Sequence, residues 1–464
     1  MPRSNLWKLL VTLPLALSCS LGGTGRIAQG SGIADAENIK VAAQPNVRLI
    51  VQRPVIRAAA LSPEELYRKV WALIREEFYD QSFNGQCWAR WQHRYDGKLK
   101  TGDDAHKAIE TMLASLGDRY TRFLDRDAFD DEKAQIESRL FGVGIQIGMD
   151  KTQKIVVIAP IDDTPASRAG LMPGDEIAEI NSKPTKGFSV EEAAKQIKGP
   201  KGTEVTLTLV RAGKQLKVIM KRDEIHINAV QTAKMIDPDI GYIRLTSFIS
   251  QDANKEMVKA LNNLSPAKGI ILDLRDNPGG LLTNAIEISN MFLEGQRDIV
   301  STVDKDGYKT PAQSDGKPVS QQPLVILINK GSASASEIAS GAMHDNSRAV
   351  LVGEKSFGKG LVQGITRLED GTGINVTIAR YLTPNDTDIN KKGISPDVAV
   401  DLTDKDYKEG RGPWWLDPEG PMAKRAPEDM KDIQLLKAVG VLKEKIKNPV
   451  VVGASVSLNS AHHQ

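Results

Sequence analysis

The chain has 464 residues, 40% of them apolar and 26% charged, which is an ordinary globular balance and enough for two to four domains. Its 61 basic and 59 acidic residues leave a formal charge of +2, which excludes the dominant basic field of a nucleic-acid-binding protein. Two cysteines, Cys19 and Cys87, cannot build a disulfide framework or a cysteine metal site, and six histidines give no multi-histidine centre, so no metal or cofactor is expected.

Arg3 and Lys8 flank the start of an apolar run over residues 9–17, with the small residues Ser18, Ser20, Gly22 and Gly23 after it. This is the layout of a secretory signal peptide, expected over residues 1–30, and the run is too short to span a membrane. An exported protein, peripheral to a membrane at most, is therefore expected. Ala16, not a large aliphatic residue, stands three positions before Cys19, which argues against lipidation there. Residues 31–60, with Pro45 and Pro54, read as a linker.

A helical region is expected over residues 61–140. Ser62-Pro63-Glu64-Glu65 is a helix start, and Leu66, Val70, Leu73, Ile74 and Phe78 follow at helical spacing. A second helical piece runs through Trp88, Trp91 and Tyr95, and a third covers Ala105, Ile109, Met112 and Leu116. The loop Asp118-Arg119-Tyr120-Thr121-Arg122-Phe123-Leu124 is polar and aromatic, and its rings read as helix-packing core.

From Phe141 the pattern becomes short strands. A glycine loop at Phe141-Gly142-Val143-Gly144 leads into alternating residues from Ile145, and PASRAGLMPGDEIAEIN follows at residues 165–181. A helix over residues 190–198 and two further strands complete a unit over residues 141–222 that resembles a PDZ domain. The resemblance implies that the N–H groups of Phe141, Gly142 and Val143 receive the terminal carboxylate of a peptide, which pairs as an added strand beginning at Ile145.

Strands then alternate with helices over residues 223–405, implying βα units and a mainly parallel sheet. GIILDL at residues 269–274 ends in Arg275-Asp276-Asn277-Pro278-Gly279-Gly280 before a helix. Such a turn can present N–H groups to an oxyanion, or be a plain tight turn. LVILIN at residues 324–329 opens onto Ser332, Ser334 and Ser336 and a helix-like run over residues 337–344. Strand, small-residue turn, serine, helix is an arrangement that presents a nucleophile at a helix N-terminus. The residues alone do not choose among the three serines, and Ser334 with Glu337 also fits a capping box. No histidine triad is recognisable, so the candidate base is Lys359 between Gly358 and Gly360. Residues 353–359 match the spacing of a phosphate-binding loop, but Gly360 replaces the Ser or Thr that holds magnesium and a strand follows instead of a helix. Residues 406–464 read as a tail with one amphipathic helix, over residues 433–447.

The run NKGSASASEIASGAMHDNSRAVLVGEKSFGKGLVQ (residues 329–363) resembles the active-site segment of the C-terminal (tail-specific) processing proteases. The helical segment, PDZ-like unit and LRDNPGG turn stand in that family's order. The resemblance implies an α/β multidomain fold: an N-terminal helical segment, a PDZ-like β domain, and a βα core of the ClpP/crotonase kind that carries the active site. It makes Ser334 the nucleophile, Lys359 the general base and Gln363 the residue that orients the lysine. Gly280 and Ala335 become the oxyanion donors, and Glu337 a supporting residue. The implied activity is a serine endopeptidase that takes protein substrates with free, apolar C-terminal tails. Phe83-Asn84-Gly85-Gln86 and Tyr120-Thr121-Arg122-Phe123-Leu124 resemble cyanobacterial and chloroplast members, which implies a photosystem II reaction-centre precursor as substrate and a thylakoid-lumen or periplasmic location. Two rivals are a PDZ adaptor that binds tails without cutting, and an acyl-transfer or hydratase enzyme on a related core. An intact Ser334–Lys359 pair disfavours the first, and a peptide-tail receptor disfavours the second.

Overall fold

The computed structural model describes residues 61–415 and 426–448, apart from residues 138, 151, 162 and 227. The expected signal peptide, the expected linker and Cys19 lie outside the described residues.

The βα core is a six-stranded sheet in the order Val230–Asp237, Ile240–Leu245, Gly269–Asp273, Leu324–Ile328, Ala349–Gly353, Val398–Ala399. Only the first pair is antiparallel. Every residue of the second, third and fourth strands is buried. That is why they read as continuous apolar runs: a parallel sheet is covered on both faces. The parallel strands are added in one direction, so right-handed crossovers place their helices on one face. There Ala253–Asn263, Leu282–Asn290 and Ala335–Asp345 share one apolar cluster with the sheet.

The other face needs a cover from elsewhere, and the C-terminal helix Ile433–Lys447 supplies it. Leu435, Ala438 and Leu442 are fully buried against Ile240, Tyr242, Ile271, Val325 and Leu327. The helix of the segment expected to be a tail is thus part of the core. Arg275, fully buried, fastens it by donating to Asp432 Oδ1 and Gln434 Oε1, both at 3.0 Å, and to Asp273 Oδ2 at 2.5 Å. Asp432 also caps the helix, accepting from Gln434 N at 3.1 Å and Leu435 N at 3.0 Å.

A second sheet carries the strand after Lys359. Gly373–Leu382 pairs with Leu361–Arg367, Asp298–Asp304 and Arg122–Leu124, the last from the N-terminal region. The helices Pro63–Glu77 and Gly102–Ala114 share their core with Leu368, Ile374 and Val376. Both begin with closed capping boxes, Ser62 with Glu65 and Thr101 with Asp104. The expected helical piece around Trp88 shrinks to Ala89–Gln92, with turns on either side.

The PDZ-like unit has its own six-stranded sheet, with Ile145–Met149 on one edge and the helix Val190–Ile197 beside it, around a separate core that includes Val143, Ile177 and Leu207. The glycine loop expected at Phe141 differs. Arg139–Gly142 is a strand paired antiparallel with Asp223–His226, so Phe141 faces Glu224 and Gly142 faces Asp223 in register. The turn itself falls at Gly144, where φ is +77° and a Cβ would lie 2.4 Å from Thr164 Cβ. Pairing of the entering and leaving chain explains the shift: the two segments satisfy each other's main-chain groups.

Candidate active site

Strand Leu324–Ile328 delivers the serine turn, and hydrogen bonding distinguishes its three hydroxyls. Ser332 Oγ donates to Leu274 O at 2.8 Å and accepts from Asn329 N at 2.9 Å. Ser336 Oγ donates to Asn277 O at 2.8 Å. Both side chains are fully buried. Ser334 is 8% exposed and makes no side-chain capping bond to the helix that it precedes. Only the carboxylate arm of the capping box is closed, with Ser334 N donating to Glu337 Oε2 at 2.9 Å. Ser334 has φ +55° and ψ −115°, a sparsely populated conformation for a side-chain-bearing residue that costs on the order of 1–3 kcal/mol. Such a sharp strand-to-helix turn lifts a hydroxyl clear of its own backbone.

The Pro-Gly-Gly turn lies directly against this serine. A Cβ on Gly279 would stand 2.5 Å from Ala333 O, 2.8 Å from Ala335 N and 2.9 Å from Ser334 Cβ. One on Gly280 would stand 2.0 Å from Phe248 C, so both positions exclude a side chain. Asn277, fully buried, ties the two turns by accepting Ala333 N on its carbonyl at 3.0 Å and Gly279 N on Oδ1 at 2.9 Å. The N–H of Gly279 is thereby engaged. Those of Gly280 and Ala335 make no hydrogen bond among the described residues. The Pro-Gly-Gly turn and the serine turn packed against it therefore each keep one donor without a partner among the described residues.

Lys359 is 5% exposed, and burial brings its ammonium down from 10.5 to about 8. Glu132, Asp118 and Glu337 pull upward, and the charge of Arg119 assists the fall. Its Nζ lies 4.7 Å from the centre of the Tyr120 ring. Beyond Gly360 the chain enters strand Leu361–Arg367, as expected. Glu337, fully buried, accepts the main-chain N–H of Lys359 at 2.8 Å and of Gly358 at 2.7 Å, and the Ser356 hydroxyl at 2.5 Å. Burial raises its carboxyl while these bonds hold it down. Tyr381, also buried, brings its hydroxyl within bonding reach of Ser334 O at 3.2 Å and of Lys359 O, donating its single proton to one at a time. Gln363 is 3% exposed on the same strand as the lysine's exit, and its Nε2 has no partner among the described residues.

Sequence reasoning missed Tyr120 and Tyr381. The ring of Tyr120, expected in helix packing, lies by the lysine, because Asp118 accepts from Thr121 Oγ1 at 2.7 Å and Thr377 Oγ1 at 2.5 Å and draws the loop onto the second sheet. Nothing in the local pattern of Tyr381 marks it, since its partners are carbonyls distant in sequence. Of the expected tail-binding residues, Phe141 is exposed, Val143 is buried in the PDZ-like core, and Ile145 starts the edge strand.

Family profiles match this architecture: a PDZ domain over residues 131–210 and peptidase family S41 over residues 239–400. A carboxyl-terminal-processing protease of Synechocystis sp. is 40% identical over 348 residues, covering 73% of this chain and 81% of the relative. The chain belongs to the carboxyl-terminal-processing proteases of family S41. Another relative, carboxyl-terminal-processing peptidase 3 of Arabidopsis thaliana chloroplasts, is 36% identical over 378 residues, with 75% and 71% of the two chains covered. Among solved structures, a photosystem II D1 C-terminal processing protease is similar at a TM-score of 0.50 and 32% identity, covering 74% of this chain and 93% of that one. The protein is thus a protease with a PDZ domain, and its substrates are proteins.

Proposed function

We propose that this protease is a Ser–Lys endopeptidase that captures C-terminal tails and cuts near them. Ser334 attacks the peptide carbonyl while neutral Lys359 takes its proton. The N–H groups of Gly280 and Ala335 stabilise the oxyanion, Lys359 returns the proton to the leaving amine, and water releases the acyl group from Ser334. Gln363 orients the lysine through its amide oxygen. The observation that carries this reading is that Ser334, alone of the three serines, has a hydroxyl not engaged in holding the turn, and that the Pro-Gly-Gly turn packed against it and the next residue, Ala335, each keep an N–H without a partner among the described residues.

Capture of the tail falls to the PDZ domain. The strand beginning at Ile145 is a sheet edge beside the helix Val190–Ile197, the geometry that β-strand addition requires, with Phe141, Gly142 and Val143 at its head. We assign an exported location, periplasm or thylakoid lumen. No helix among the described residues is long and apolar enough to cross a membrane. Likeness to the D1 processing protease makes a photosystem II reaction-centre precursor the first substrate to test. Normal trimming of that precursor in a deletion strain would remove it.

The deciding experiment compares the wild type with Ser334→Ala and Lys359→Ala on a peptide with an apolar free C-terminus. Cleavage by the wild type alone supports the dyad. Cleavage retained by either variant refutes it.

A further inference from the structure

Beside the site stands a cation with no acidic partner among the described residues. Arg119 is exposed, and its guanidinium carbon lies 4.8 Å from the centre of the Tyr120 ring and 5.4 Å from that of Phe357. One of its N–H groups donates to the Tyr120 hydroxyl at 2.9 Å, and no carboxylate pairs with it among the described residues. Two contacts with the catalytic segment fix its position. Tyr120 also lies against Lys359 Nζ, and Phe357, two residues before that lysine, is pinned by its N–H to Ser332 O at 3.0 Å. Phe357 is 44% exposed, unusual for a phenylalanine flanked by Ser356 and Gly358, which are both tied to Glu337.

A guanidinium held against two rings is fixed in place, and the N–H donors that it does not give to the Tyr120 hydroxyl remain for a carboxylate's two oxygens. We propose that Arg119, held by Tyr120 and Phe357, is a specificity residue that receives a carboxylate of the substrate close to the scissile bond. An acidic side chain is the expected source, and the chain's terminal carboxylate is the other source of the same chemistry. Docked substrate shields the pair from water, so the contact is stronger than an ordinary surface ion pair. The inference rests on the peptidase reading.

The test uses peptides in which a single Glu or Gln is walked through the positions flanking the cleavage point, each with a free or amidated C-terminus. The wild type, Arg119→Gln and Arg119→Glu are compared. The charge of Arg119 also disfavours protonation of Lys359, so its loss changes the rate on every peptide, and the ratio of Glu to Gln peptide within each variant cancels that effect. In the wild type, Glu at one position should lower KM by about ten-fold relative to Gln. That preference should vanish in Arg119→Gln and reverse in favour of the Gln peptide in Arg119→Glu. A ten-fold loss on amidation instead, abolished by the same variants, identifies the terminal carboxylate as the source and supports the receptor. Equal ratios in the wild type and Arg119→Gln at every position and terminus overturn it while leaving the peptidase reading intact. Absence of any cleavage by the wild type overturns that reading, and this inference with it.

Discussion

Glu337 Oε2 accepts the main-chain N–H of Lys359 at 2.8 Å, and the same oxygen accepts that of Ser334 at 2.9 Å. One buried carboxylate thus fixes the spacing between two segments that are 25 residues apart in sequence, 334 and 359. Glu337→Gln keeps the volume but offers one acceptor oxygen and an NH2 group to a site of four donors. Each donor left unpaired costs about 1–3 kcal/mol. The variant should be less stable by that order and lose at least about 100-fold in kcat, with a smaller change in KM, because misplacement of reacting groups acts on the chemical step. Steady-state kinetics on the folded fraction check this; an unchanged kcat would separate Glu337 from catalysis.

Activity should follow the protonation of Lys359. The base must be neutral, and burial brings its ammonium to about 8, so kcat/KM should rise about ten-fold per pH unit below that value and flatten above it. The same lowering has a consequence for stability. The folded state disfavours the charge that the unfolded chain carries up to about 10.5, so the cost is full below pH 8 and fades between the two values. Lys359→Met should therefore abolish cleavage yet stabilise the fold at pH 7 by about 1–3 kcal/mol, with the gain gone above pH 10.5. Denaturant unfolding at pH 7 and in strong alkali measures the difference; destabilisation at pH 7 would contradict it.

The three serines should separate cleanly. Ser332→Ala removes a hydroxyl that both donates and accepts, and Ser336→Ala one that donates, within fully buried surroundings. Each should lower stability by about 1–2 kcal/mol and leave measurable cleavage. Ser334→Ala should leave the unfolding midpoint within error and remove cleavage. Parallel melting curves and rates test the contrast, and the reverse pattern would move the nucleophile to another serine.

The sequence made the elements legible where a local signal existed. The helix start at Ser62, the uninterrupted apolar strands, and the helix over residues 433–447 all lie where periodicity and caps place them. Contacts between segments far apart in sequence were not legible. Nothing in Leu435 or Leu442 says which face they cover until strand order leaves one face of the sheet bare. The choice among Ser332, Ser334 and Ser336 needed the carbonyls of Leu274 and Asn277, about 60 residues upstream. Tyr120 reads as core because its loop is rich in rings, whereas Asp118 and Thr377 hold it beside Lys359.

The C-terminal helix should matter to catalysis although it lies on the far face of the sheet. Its cap residue Asp432 meets Arg275, which opens the turn that ends at Gly280. Arg275, Asp273 and Asp432 are buried together, with Tyr242 donating to Asp273 at 2.8 Å and Trp414 donating to Tyr242 at 2.8 Å. Removing one member of such a set strands the others' charge, which costs about 3–5 kcal/mol. Arg275→Ala leaves two carboxylates uncompensated and should be the most damaging. Asp432→Ala, which loses the ion pair and the cap, should follow, and Asp432→Asn, which keeps a capping acceptor, should cost least. Urea midpoints should rank in that order. In the two Asp432 variants kcat should fall more than KM rises, because the first group to move would be the Pro-Gly-Gly turn and the Gly280 N–H it presents. An Asp432→Ala enzyme of reduced stability but undiminished kcat would mean that the turn is held by Asn277 and Phe248 alone.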